Sequence, residues 1–313
     1  MQQRILGRSG ISIAPIVFGG NVFGWTADEA RSFELLDRFS GMGFNAIDTA
    51  DTYSSWAPGN AGGESETVIG KWLARRGRRD DIVLMTKVGL WDKHKGLAAA
   101  NIEAAVEESL KRLQTDYLDV YFAHTDDPDT PLDETLEAFA RLVKAGKVRA
   151  IGASNYDAGR MRQALDVSAQ RKLPRYEVMQ PLYNLYDRDV FETSLAPLAQ
   201  QQEIGTVCYF SLASGFLSGK YRSAADLAGS KREQMLQRYF DDRGLRILQA
   251  LEEVASELSA PPAQVALAWL LARPGVTAPI ASATRLEQLD EILGAATLAL
   301  PQEALDKLGS AGR

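Results

Sequence analysis

Residues 82–124 read IVLMTKVGLWDKHKGLAAANIEAAVEESLKRLQTDYLDVYFAH, and this stretch decides the fold. It opens with Ile82–Thr86, a run apolar on both faces of an extended chain, and closes with a second, Leu118–Phe122. Between them Ile102, Val106, Leu110 and Leu113 fall on one face of a helical period, with Glu103, Glu107 and Lys111 elsewhere. A strand buried on both faces, an amphipathic helix and another buried strand form the unit of a parallel sheet covered by helices.

The unit recurs in both directions. Further apolar runs stand at Ile16–Phe18, Ala46–Asp48, Val148–Ala153, Tyr176–Gln180, Gly205–Tyr209 and Thr277–Ile280. Most follow the previous run after roughly 30 residues, the length of a β–α unit. The last gap is about twice that and is expected to hold an insertion. Leu132, Leu136, Phe139 and Val143 form another helical stripe, opened by Asp129-Thr130-Pro131 and closed near Ala145-Gly146. Leu245, Leu248, Leu251, Val254 and Leu258 form a third. Eight units predict an α/β fold, a closed (β/α)₈ TIM barrel rather than an open sheet, with residues 1–313 as a single domain. Arg4–Leu6 and Ile11–Ile13 flank Arg8-Ser9-Gly10, which reads as an N-terminal β-hairpin capping the barrel floor. The least regular stretches, Ser54–Glu64 and Ser211–Tyr239, read as long functional rim loops.

Composition narrows the functions. Lys and Arg number 35 against 41 Asp and Glu, so the net charge is −6, and neither nucleic acid nor an anionic membrane is an expected partner. The lone cysteine, Cys208, cannot form an internal disulfide and is expected in the core of a protein from a reducing compartment. With only His94 and His124 beside it, no Cys/His metal site is expected. No run approaches the ~20 apolar residues of a membrane span, and MQQRILGRSG has no signal-peptide core, so the expected address is the cytoplasm. Oligomeric state is not encoded in any of these features.

A barrel of this kind builds its active site where the strands end. Here the runs end in Asp48, Thr86-Lys87, Ala123-His124, Ser154-Asn155, Gln180 and Tyr209, with Tyr53 five residues beyond Asp48. Taken singly, Asp48 reads as a helix cap, Tyr53 as a packing residue and His124 as structural. Lys87 is harder to dismiss, because a lysine closing an apolar strand needs either solvent or a partner. Together on one rim they read as chemistry. Asp48 can hold Lys87 charged, and the ammonium is expected to lower the Tyr53 phenol from its usual value of about 10. Such a phenol is a proton donor, and His124 can orient the same substrate oxygen. The set suits protonation of a carbonyl oxygen while hydride arrives at carbon, which side chains cannot supply, so a nicotinamide is implied.

At these residues the sequence resembles the aldo-keto reductase superfamily. FNAIDTADTY carries its Asp and Tyr as Asp48 and Tyr53, LMTKVG its Lys as Lys87, and DVYFAHTDD its His as His124. IGASNY, VMQPLYN, YFSLASGFLSGKY and PIASATRLEQLDE match its cofactor segments. LGRSGISIAPIVFGG and the GKY block are most similar to the bacterial and channel-β-subunit-like branches. The resemblance implies Tyr53 as general acid, tuned by Asp48 and Lys87, with His124 orienting substrate. It implies that Ser154, Asn155 and Gln180 bind the nicotinamide amide, that Tyr209 stacks on its ring, and that Gly20, Asn21 and Val22 pass beside it. Cofactor contacts are further implied for Phe210, Ser211, Leu212, Ser214, Gly215, Leu217, Lys220 and Arg232, the glycines permitting close backbone approach to phosphate. No GxGxxG motif occurs. After the last strand, Ser282, Thr284, Arg285, Gln288 and Glu291 would meet the adenosine end, with Arg285 gripping a 2′-phosphate. NADP is therefore expected ahead of NAD, although Ala281 and Gln288 stand near positions that carry Lys and Arg in some branches.

Phe23, Trp25, Trp56 and Trp91 fall in rim loops and are expected to line a pocket for a small carbonyl or alcohol. Trp72 and Trp269 sit in helical patterns and are assigned to the core. Two rivals remain at this stage: a cofactor-sensing regulatory subunit with weak turnover, and a Schiff-base aldolase using Lys87.

Overall fold

The computed structural model describes residues 2–227 and 233–313. A two-stranded antiparallel hairpin comes first, β1 (Arg4–Ile5) and β2 (Ser12–Ile13). Eight strands follow: β3 (Val17–Gly19), β4 (Ala46–Asp48), β5 (Val83–Val88), β6 (Leu118–Ala123), β7 (Val148–Ser154), β8 (Tyr176–Gln180), β9 (Gly205–Cys208) and β10 (Ala278–Ala281). They pair in parallel, in the order β10-β3-β4-β5-β6-β7-β8-β9, and close into a barrel. Each is one of the eight apolar runs, so the fold is the (β/α)₈ TIM barrel with an N-terminal hairpin.

The helices are α1 (Glu29–Gly41), α2 (Glu64–Arg76), α3 (Ala99–Leu113), α4 (Leu132–Lys144), α5 (Ala158–Arg171), α6 (Ala196–Gln202), α7 (Glu233–Gln237), α8 (Asp242–Glu257), α9 (Pro262–Leu271), α10 (Leu286–Gly294) and α11 (Gln302–Ala311). Local chemistry starts them: the Asp28 and Asp241 side chains accept from the Arg31 and Gly244 backbone N–H groups, capping α1 and α8. The long final gap holds α7, α8 and α9. In α8 the inward stripe is Ile247, Leu248, Leu251 and Val254, while Leu245 is 46% exposed and does not belong to it. The stretch Ser211–Tyr239 is less irregular than its sequence suggests. Short 3₁₀ turns at Ala213–Ser218 and Ala224–Leu227 precede α7, and Phe216 stacks on Tyr239 at 5.2 Å. Leu217, Leu227 and Leu236 are buried and join the apolar layer between the barrel and its helices, so the excursion is packed onto the main core.

The barrel interior is filled by Val17, Ala46, Val83, Met85, Val120, Phe122, Val178, Val207 and Ile280. Leu6, Ile11 and Ile13 of the hairpin join this cluster and close the floor. Gly7 permits the close approach: its φ is +57°, and a Cβ there would stand 2.3 Å from the Glu177 carbonyl oxygen. Beside the floor, buried Asp119 at the start of β6 accepts from Arg79 at 2.8 Å, Arg149 at 2.5 Å and the Leu84 N–H at 2.8 Å. Trp72, Trp269 and Cys208 are fully buried. Among the described residues, no helix is long and apolar enough to cross a membrane, and no cluster of His, Cys, Asp and Glu could hold a metal.

Candidate active site

Adjacent strands β4 and β5 end side by side, which brings Asp48 to Lys87 although 39 positions separate them. Lys87 is fully buried, and its Nζ donates to Asp48 Oδ2 at 2.7 Å, the Thr49 carbonyl at 2.6 Å and Tyr53 Oη at 2.9 Å. Gln180, ending β8, donates from Nε2 to Asp48 Oδ1 at 2.8 Å, so the carboxylate is held from both ends. Tyr53 Oη lies 3.4 Å from Asp48 Oδ2. The turn that carries Tyr53 is pinned locally. Thr49 Oγ1 meets Ser65 Oγ at 2.8 Å, Ser65 donates to the Gly20 carbonyl, and Ser54, at φ +72°, donates to the Phe23 carbonyl. His124 follows β6, its backbone N–H bonded to the Val88 carbonyl. Its ring centroid is 6.1 Å from that of Tyr53, and its buried Nδ1 has no partner among the described residues.

The electrostatics follow from enclosure. Burial pushes Lys87 below its ordinary value, opposed by Asp48. Burial, then repulsion by Lys87, holds His124 well below its usual range, so it is neutral at ordinary pH. Tyr53 is held well above its usual value. Part of the residue stays exposed, but desolvation leads, followed by the Asp48 carboxylate. The expectation that the ammonium lowers this phenol is therefore corrected: enclosure beside an anion outweighs it.

The neighbouring strand ends form a second group. Ser154 Oγ donates to the Gln180 carbonyl at 2.9 Å, and Asn155, at φ +57°, donates to the His124 carbonyl at 2.9 Å. Tyr209 Oη donates to Asn155 Oδ1 at 2.8 Å, tying the end of β9 to that of β7. Beyond it Phe210, Ala213, Ser214 and Gly215 all adopt positive φ. A Cβ on Gly215 would meet only Lys220 Cε, at 3.8 Å, so this backbone faces open space. Ser211 is buried with its hydroxyl on the Cys208 carbonyl, Leu212 is half-buried, Leu217 belongs to the core, and the Lys220 ammonium lies over the Tyr221 ring. Arg232 lies outside the described residues.

Around β3 and β10, Gly20–Val22 form a 3₁₀ turn with Val22 buried, and Ser282 Oγ donates to Asn21 Oδ1 at 2.6 Å. Thr284 donates to Gln288 Oε1 through both its N–H and its hydroxyl, each at 3.2 Å. The side chains of Arg285 and Glu291 are exposed. Among the described residues Arg285 forms no side-chain hydrogen bond or ion pair. An open backbone cradle, amide and hydroxyl side chains beside Asp48, and a free guanidinium at the start of α10 fit a nicotinamide dinucleotide.

Of the four aromatic residues, the structure brings one to Tyr53 and a second onto that one. Trp56, 48% exposed, has its ring 6.0 Å from that of Tyr53, and Trp25 meets Trp56 edge-on at 5.7 Å. Phe23 is fully buried and stacked on Phe18 at 5.2 Å, in the core and not on a pocket wall. Trp91 buttresses the Ser54–Glu64 loop, donating to the Ala61 carbonyl at 3.1 Å and packing against His94. Sequence reasoning missed two buried carboxylates, Asp51 and Glu66, and the half-buried Arg112 beside them. The signal available was the second aspartate of AIDTADTY.

Comparison with known proteins agrees with this architecture. Residues 15–313 match the model of the aldo/keto reductase family. The chain is 35% identical over 319 residues to an uncharacterised oxidoreductase, YrpG, of Bacillus subtilis, covering 98% of this chain and 95% of that one. It is 33% identical over 301 residues to a probable voltage-gated potassium channel subunit beta of Arabidopsis thaliana, covering 93% and 90%. It is 30% identical over 304 residues to the L-glyceraldehyde 3-phosphate reductase of Escherichia coli, covering 93% and 86%. The chain belongs to the aldo/keto reductase family, oxidoreductases that use NAD(P)H in carbonyl reduction.

Proposed function

We propose that the protein reduces a small aldehyde or ketone to an alcohol, or runs the reverse, with NADPH preferred over NADH. In this reading residues 1–313 act as one domain at work in the cytoplasm. The observation that carries it is the 2.9 Å contact between Lys87 Nζ and Tyr53 Oη, with Asp48 fixing the ammonium from the other side. The nicotinamide supplies hydride or takes it up. The chain does the rest. Tyr53 keeps its proton until a carbonyl oxygen is present to receive it. As that proton leaves, negative charge grows on Oη beside an ammonium already in position, so no reorganisation is required. Neutral His124 orients the carbonyl oxygen.

Ser154, Asn155 and Gln180 would hold the carboxamide, and Tyr209, anchored on Asn155, would present its ring to the nicotinamide. The backbone of Gly20, Asn21 and Val22 would run alongside. The open stretch from Phe210 through Gly215, together with Lys220, would take the pyrophosphate. Ser282, Thr284, Gln288 and Glu291 would meet the adenosine, with Arg285 forking onto the 2′-phosphate. Trp25 and Trp56 would wall the carbonyl compound.

The similarity to a channel subunit keeps one rival, a cofactor sensor with weak turnover. The aldolase reading is disfavoured because all three ammonium hydrogens of Lys87 are engaged. Incubation with NADPH or NADH and a panel of aldehydes and ketones should give steady loss of nicotinamide absorbance, faster with NADPH. Tight binding of NADPH without turnover would overturn the enzymatic reading in favour of the sensor.

A further inference from the structure

Next to the Asp48–Lys87 pair lies a second set of buried charges. Asp51 is fully buried, and neither of its carboxyl oxygens has a hydrogen-bond partner among the described residues. Its backbone N–H points to the Lys87 carbonyl at 3.5 Å. The ionisable groups close enough to act on it electrostatically are Glu66 from α2, Arg112 from α3, Lys87 from β5 and Tyr121 from β6. Glu66 is also fully buried, and its oxygens are taken by Thr86 Oγ1 at 2.6 Å and Arg112 Nε at 2.7 Å. Arg112 is shared again with Glu108 at 3.2 Å. Thus the Arg112 guanidinium is claimed by other carboxylates, and among the described residues the buried Tyr121 hydroxyl has no partner either.

A buried carboxylate that no side chain satisfies is costly to charge. Burial, reinforced by Glu66, pushes Asp51 up to about 8, against the pull of Arg112, the Thr52 backbone N–H and Lys87. We propose that Asp51 is a positioning residue for proton transfer at Tyr53: a second buried carboxyl that acts on the reacting proton through Lys87, with the Glu66–Arg112 pair setting when it is charged. The inference rests on the reductase reading above. With Asp51 neutral, Lys87 answers to Asp48 alone and steadies the charge developing on Tyr53. With Asp51 ionised, a second anion bears on that lysine, and further negative charge on Tyr53 is disfavoured. The reacting proton still moves only from Tyr53 Oη to the substrate oxygen; Asp51 gives its own proton to solvent as the pH rises.

The test is the pH profile of kcat/KM for carbonyl reduction with the full chain, beside a ¹³C NMR titration of carboxyl-labelled aspartate. The wild-type rate should fall as pH rises through about 8. Asp51→Asn should remove that step, and Glu66→Gln, which takes away a repelling charge, should move it to lower pH. The resonance lost in Asp51→Asn should titrate at the same pH as the wild-type step. A step unchanged in both variants, or a resonance titrating below about 5 like an ordinary aspartate, overturns the inference. If Glu66→Gln does not fold, Asp51→Asn and the resonance decide alone. A resonance titrating near 8 in a protein that turns over no carbonyl would instead overturn the reductase reading, and the role in the reaction with it.

Discussion

Two buried aspartates show how differently the ends of this barrel are built. At the floor, Asp119 receives Arg79, Arg149 and a backbone N–H, so both of its oxygens are matched. At the rim, Asp51 is as deeply buried, and among the described residues no side chain donates to either of its oxygens. The rim also holds a histidine nitrogen without a partner among the described residues, and non-glycine residues at positive φ, Ser54, Asn155, Phe210 and Ser214 among them. Such groups and conformations each cost on the order of 1–3 kcal/mol. The floor uses its charge to hold the barrel shut, whereas the rim buries polar groups that the described residues leave unmatched, which lowers stability.

The contrast can be broken at either end. The largest effect is expected at the rim. Tyr53→Phe should lower kcat for carbonyl reduction by about 10²–10⁴-fold or more while NADPH affinity, measured by fluorescence titration, stays nearly unchanged. Wild-type turnover in that variant would remove Tyr53 as proton donor. Asp119→Ala should do the opposite, costing about 3 kcal/mol in urea unfolding, because it strips the partner from two arginines, yet leaving kcat/KM of the folded enzyme within about twofold. A large loss of kcat with unchanged stability would show that the floor is not merely structural. The smallest effect belongs to the cofactor's far end. Arg285→Ala should weaken NADPH binding about tenfold and leave NADH binding alone, since only the 2′-phosphate calls for a guanidinium fork. Equal weakening of both would place Arg285 elsewhere on the dinucleotide.

Much of the site was legible in the chain because a parallel barrel gathers its strand ends on one rim. Asp48, Lys87, His124, Ser154, Gln180 and Tyr209 each lie at or just past the end of an apolar run, so naming the runs also named the rim. Asp51 was not legible in the same way. It sits in the turn after β4, and a polar residue in a turn ordinarily reads as solvated. Nor do the aromatic rim residues announce their direction: Phe23 and Trp25 are two positions apart, but one stacks into the core and the other meets Trp56.

The chain's periodicity determined by itself how many β–α units there are, their order and the closed barrel, because burial patterns repeat over a few neighbouring residues. The hairpin, too, was written in a local turn. Beyond the Asp48–Lys87 pair, tertiary structure alone decided which charges are matched. Lys87 spends its three hydrogens on partners from β4 and the turn beyond it, Arg112 is taken by Glu66, and Asp51 is left over. Those outcomes depend on distances between residues far apart in sequence and on how much water each pair excludes, and both are properties of the packed barrel.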